Sequence, residues 1–273
     1  MARRPLLAAL GLPEALVSLA SGDIQVASLP AWEMPPGNYG FPPALIPLWS
    51  DGGGPSYYGY WRHWAVARSG TYVHVSVEQG YRASEIARTA EQLLRVVLLQ
   101  AICTEDALSQ RLRELAETLG VNDVERLNEI SLSTGDDLRG LLLHPLFAAD
   151  PPRACDPAPE AYRGDFPSSR GVAGLGELER VAGLELKPEY GRSLLSVEGL
   201  PPWLRTERQN GTFSALLRDG NVGGAWLSLN SPGWTFAEAR RALLGFRAVV
   251  REPMLDDVTR AWCEEDHESA GGY

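Results

Sequence analysis

The chain has 273 residues, of which 22% are charged and 44% hydrophobic, and a formal charge of −10. That length supports one large domain or two small ones, and the apolar fraction excludes a disordered chain. No run of about 18 apolar residues is present to span a bilayer, and the acidic balance argues against binding nucleic-acid phosphates, which needs a basic surface.

The basic residues are one-sided: of 25, only Lys187 is not Arg. Residues 1–145 and 146–273 each net −5, so no basic module is masked by an acidic tail. The expected partners include neither nucleic acid nor membrane. Cys103, Cys155 and Cys263 are too widely spaced for a disulfide framework or a zinc knuckle, which fits a reducing cytoplasm. Residues 1–22 imitate a secretory signal, with Arg3 and Arg4 before an apolar run, but Pro13 and Glu14 interrupt it. The stretch reads instead as a short amphipathic helix, with Leu10, Leu16 and Leu19 among its buried candidates.

Residues 23–58 are rich in Pro, Gly and aromatics, a composition that favours irregular packed loop with short strands. Residues 71–78 alternate strictly, and Ser69-Gly70 before them suits a two-residue hairpin turn from a strand over 59–68. That turn would set Trp64, Val66, Val73, Val75 and Val77 on a core face. Trp61, His63, Ala65, Tyr72, His74 and Glu78 would share the other. Helical spacing of Ile86, Ala90, Leu93, Leu94, Val97, Leu98, Ala101 and Ile102 predicts a helix over 84–102, buried through its C-terminal half. Thr104 reads as the N-cap of a helix ending at Gly120, Asn122 with Glu125 as a further capped helix, and 136–143 as one more.

A Pro-rich stretch over 146–170 reads as a linker between an α+β domain at 1–145 and a second α+β half at 171–273, the alternative being an extended segment wrapped over one domain. In that half, apolar runs at 213–217 and 222–229 flank Asp219-Gly220 like a hairpin. Thr235 and Glu238 then fit a capping box opening a helix to about Val250, with Ala239, Leu243, Leu244 and Phe246 inward. A last helix over 254–265 aligns Leu255, Val258 and Trp262, and the tail over 268–273 should fray. The fold class expected is α+β, with antiparallel hairpins packed against helices in two similar-sized halves.

Motifs for catalysis are weak. Asp51-Gly52-Gly53-Gly54 is followed by Pro55-Ser56-Tyr57-Tyr58, with no adjacent Lys, which suits a tight link between strands better than a phosphate loop. Gly171, Gly174 and Gly176 only imitate a dinucleotide fingerprint, and no Gly-x-Ser-x-Gly elbow is present. His63, His74 and Glu78 would lie together on the polar face of the hairpin, where two imidazoles and a carboxylate suit a metal or an acid/base pair. The set depends on one register. No catalytic, metal or cofactor residue is therefore assigned.

Aromatics fit binding better. Trp49, Tyr57, Tyr58, Tyr60, Trp61 and Trp64 fall close together, with Arg62 and His63 among them, and such residues dominate protein interfaces. Only one hairpin face can be core. The other, with Trp61, His63, Tyr72, His74 and Glu78, is the candidate contact surface, covered by the chain's own second half or by a partner.

The stretch from Leu45 to about Leu94 resembles the SUKH superfamily. The likeness rests on Leu45-Ile46-Pro47-Leu48-Trp49-Ser50-Asp51-Gly52-Gly53-Gly54, the strand over 71–78 and the following helix with Ile86, Leu93 and Leu94. The resemblance implies an α+β, non-enzymatic bacterial protein that binds another protein, often a toxin as its immunity partner. The expected function is that of a cytoplasmic protein-binding protein of immunity or adaptor type that needs no cofactor. The alternatives are a metal-assisted enzyme using His63, His74 and Glu78, and a structural subunit of a larger assembly.

Overall fold

Two helices, not one, form near the N-terminus in the computed structural model. It describes residues 3–26, 40–51, 56–65, 70–77, 82–134, 202–204, 208–231, 233–265 and 271–273. Helices α1 (Arg3–Ala9) and α2 (Glu14–Ala20) are split at Gly11, whose φ of 77° a helix cannot absorb, and by Pro13 at the start of α2. Arg4 bridges Glu14 and Asp23 across the break. Leu16 and Leu19 are buried and Leu10 half-buried.

Four strands follow, β1 (Leu45–Asp51), β2 (Ser56–Trp61), β3 (Thr71–Ser76) and β4 (Arg82–Ala87), in one antiparallel sheet of sequential order. The strands β1 and β2 flank the Asp-Gly-Gly-Gly segment, as a tight link requires. The register of β2 on β3 differs from the expected one. Tyr58 opposes His74 and Trp61 opposes Thr71, so the link between the strands spans 62–70 instead of two residues.

The shift is an odd number of residues, and an odd slip turns every β2 side chain to the other face. Val73 and Val75 are core as expected, and Tyr57, Gly59 and Trp61 of β2 turn to the same face; Trp64, beyond the end of β2, is buried as expected, and Val66 lies outside the described residues. The physical reason lies on the other side of β2. That strand is sandwiched between β1 and β3, and Gly59 sits so close to β1 that a Cβ there would meet the Leu45 side chain at 2.4 Å and the Ile46 carbonyl at 2.8 Å.

The expected helix over 84–102 is a strand and then a helix. Residues 82–87 pair with β3, and α3 (Ala90–Glu105) starts only at Thr89, whose side chain forms a capping box with Gln92. Its Leu93, Val97, Leu98, Ala101 and Ile102 are buried, as the wide apolar stripe requires. Thr104 is inside this helix, its hydroxyl donating to the Gln100 carbonyl, and Ser109 is the true cap of α4 (Gln110–Leu119). Gly120 ends α4 at φ 71°. Helix α5 (Val124–Thr134) is tied to α3 by Arg95, which donates to both Asp123 oxygens at 2.9 and 3.1 Å.

The second half differs most from expectation. A short 3-10 turn (Pro202–Leu204) leads to α6 (Gln209–Arg218) and α7 (Val222–Leu229), where a hairpin is predicted. The Asn221 side chain accepts from the Gly224 amide and caps α7, and Trp226, Leu227 and Leu229 bury it. Helix α8 (Phe236–Val249) has the predicted capping box, with Ala239, Leu243 and Phe246 buried but Leu244 45% exposed. Helix α9 (Pro253–Glu264) buries Leu255, Val258 and Trp262.

The tail does not fray where it is described. Gly271–Tyr273 runs beside Trp234–Phe236, exchanging backbone hydrogen bonds with them, and the Tyr273 hydroxyl donates to the Leu229 carbonyl at 2.5 Å. The reason is burial: the Tyr273 ring packs 5.4 Å from that of Phe236 and is 2% exposed.

One continuous apolar cluster contains α1 and α2, the sheet, α3 and the helices α6 to α9. Polar contacts reinforce the junction. Asn230 Oδ1 accepts from the Ala44 amide, and Trp262 Nε1 donates to the Phe41 carbonyl at 2.9 Å. Gly40, at φ 60°, lies against Phe236 so closely that any Cβ would enter the ring. The stretch expected as linker, 146–170, and the helix expected over 136–143 lie outside the described residues, as do Cys155, Gly171, Gly174 and Gly176. The chain is α+β, and no helix among the described residues is long and apolar enough to cross a membrane.

Candidate functional site

The corrected register builds a different aromatic face from the expected one. Even-numbered positions of β2 and β3 point away from Val73 and Val75, and there two cross-strand rows form. In the first, Trp49 stacks on Tyr58 at 5.7 Å and Tyr58 lies 4.8 Å from His74. In the second, Tyr60 lies 5.4 Å from its direct partner Tyr72. Tyr58, Tyr60 and His74 are half-buried, whereas Trp49 and Tyr72 are buried.

The five predicted surface residues separate. Tyr72 and His74 are on this face. Trp61 is on the opposite one, 5% exposed in the core with Tyr57 and Val75. His63 lies beyond the end of β2 and is buried against Trp226 of α7, ring centroids 6.5 Å apart. Its Nδ1 accepts from the Ala65 amide, which leaves the ring proton on Nε2. Glu78 lies outside the described residues.

The cover for His63 is thus the second half of the same chain. His74 packs on Tyr58 of the aromatic face, whereas His63 packs on Trp226. The two imidazoles do not share a site, and among the described residues no three His, Cys, Asp or Glu side chains are grouped to hold a metal ion. Cys103 Sγ lies 3.2 Å from Ser131 Oγ, and burial pushes the Cys263 thiol up, away from the reactive thiolate.

One stacked and two tilted ring pairs build the platform, each such pair adding roughly 0.5–1.5 kcal/mol beyond its buried area. Burial and, second, the neighbouring Tyr60 push the Tyr72 hydroxyl well above the ordinary phenol value, so it stays a neutral donor. The phenols and the imidazole give the platform polar edges, a chemistry suited to a polypeptide surface. Beyond the strand, the Arg62 guanidinium sits 4.2 Å over the Trp64 ring, a cation–π contact of about 0.5–1 kcal/mol.

Tyr58 and Trp49 join the platform although sequence reading left them out of the surface. For Tyr58 the signal is parity, since Tyr58, Tyr60, Tyr72 and His74 are all even-numbered and pair in this register, whereas Trp49 reaches the face through the register shift between Pro47 and Trp49 in β1. No protein-family model, no curated protein and no solved structure matches the chain.

Proposed function

We propose that this chain is a non-enzymatic cytoplasmic protein of immunity or adaptor type, and that it engages another protein through the Tyr58/Tyr60/Tyr72/His74 face of the sheet. The observation that carries the reading is the pair of cross-strand aromatic rows with half-buried Tyr58, Tyr60 and His74. Aromatic side chains with a polar edge supply binding area with few rotatable bonds, which is why interfaces concentrate them. The likeness of residues 45–94 to the SUKH superfamily supports the same reading, and there the partner class is a toxin. An acidic chain adds long-range attraction for a basic partner.

The test is co-purification from the source cell of wild type and of a Tyr60→Ala/His74→Ala double variant. The reading expects a stoichiometric protein partner that the double variant loses while its circular dichroism and melting cooperativity are retained. A partner held equally by both would remove this face from the interface. Absence of any partner would remove the binding function.

A further inference from the structure

At the junction of α8, α9 and the anchored C-terminal residues, the fold leaves a cavity of about 350 Å³. Arg240 and Arg241 line it together with Phe236, Trp262 and Thr235. The volume lies within the range of small-molecule sites, which typically combine an apolar wall with a few convergent polar groups. The two halves of that description are both present. The edges of the Phe236 and Trp262 rings, 6.1 Å apart and only 5% and 3% exposed, form the wall, and two guanidiniums supply the charge.

Arg240 is held in place by its hydrogen bond to the Cys263 carbonyl at 2.8 Å, and Arg241 is solvent-exposed with no ion pair among the described residues. The neighbouring carboxylate, Glu238, is turned back onto Thr235 in the capping box. Its charge is also offset by Arg208, which acts on it together with Arg241. The Cys263 thiol beside Arg240 is kept neutral by burial. Among the described residues that line the cavity, the charged ones are Arg240 and Arg241.

Two of the first three amides of the helix are already taken. The Phe236 amide donates to the Gly271 carbonyl and the Glu238 amide to Thr235, which leaves the two guanidinium forks as the charged groups to read an anion here. We propose that this cavity binds a small anionic ligand with an aromatic body, its ring against Phe236 and Trp262 and its phosphate or carboxylate on Arg240 and Arg241.

The experiment is calorimetric titration of the full chain with phenyl phosphate, inorganic phosphate and benzyl alcohol. The proposal expects one site for phenyl phosphate, at least tenfold weaker inorganic phosphate, and no saturable benzyl alcohol. Arg241→Gln should weaken phenyl phosphate at least tenfold without moving the melting temperature. Ala237→Glu, an acid at an exposed first-turn position where it suits the helix, should do the same by repulsion and serves if the first variant misfolds. No saturation by phenyl phosphate at millimolar concentration, or wild-type binding by both variants, would overturn the proposal. Equal affinity for inorganic and phenyl phosphate would remove the aromatic wall from it.

Discussion

The Asn230 side-chain oxygen accepts a hydrogen bond from the Ala44 backbone amide at 2.5 Å, joining residues 186 positions apart. The same side chain donates to the Trp226 carbonyl at 2.8 Å. Both atoms are buried, so Asn230→Ala strands a donor that water cannot reach. We expect a loss of about 1–3 kcal/mol in urea denaturation, with the secondary structure unchanged. A variant as stable as wild type would show that the junction does not depend on this contact.

Trp61 belongs to the core and not to a contact surface. Trp61→Ala should cost about 3–5 kcal/mol, the usual range for emptying an aromatic site. Equilibrium unfolding of Trp61→Ala beside His74→Ala separates the roles. The tryptophan variant should melt far lower, while the histidine variant keeps near-wild-type stability.

The Glu238 carboxylate lies below its ordinary range because the Thr235 hydroxyl and then the Thr235 amide hydrogen-bond to its ionised form. A folded-state value lowered in this way stabilises above the unfolded carboxylate pKa of about 4.3 and loses that contribution as pH falls through the folded value. Thr235→Ala should cost about 0.5–2 kcal/mol at neutral pH. The gap between the melting temperatures of wild type and variant should narrow below about pH 4, and a gap independent of pH would contradict the assignment.

Tyr72 behaves oppositely. Its folded-state value is raised, so its contribution is complete below the unfolded phenol value of about 10 and declines as pH rises beyond it. Tyrosinate absorbance should show one phenol resisting ionisation until the protein unfolds, and Tyr72→Phe should be less sensitive to alkali. Alkaline unfolding that is identical in the two proteins would count against this role.

Much of the fold was legible where local chemistry dominates. The Thr235 and Glu238 box, the buried stripe of α3 and the apolar side of α9 each follow from spacing that only a helix satisfies. The register of β2 was not legible, because a plausible turn at Ser69-Gly70 competes with the pairing of β2 on the preceding strand β1. The segment 222–229 misled for another reason. Its Val-Gly-Gly-Ala-Trp-Leu-Ser-Leu run is apolar on every side, and a short continuous run has no period to distinguish a buried helix from a buried strand. Asn221 caps it as a helix. The aromatic platform was half legible: its residue types were evident, but their grouping depends on the register.

The junction around Ala44 and Asn230 also has a practical meaning. Because one apolar cluster runs through both ends of the chain, a fragment ending after α5 and another beginning at α6 would each expose half a core and unpaired polar atoms. Expressed singly, they should aggregate. Co-expressed, they should find one another, which makes the molecule a ready-made two-piece reporter of proximity.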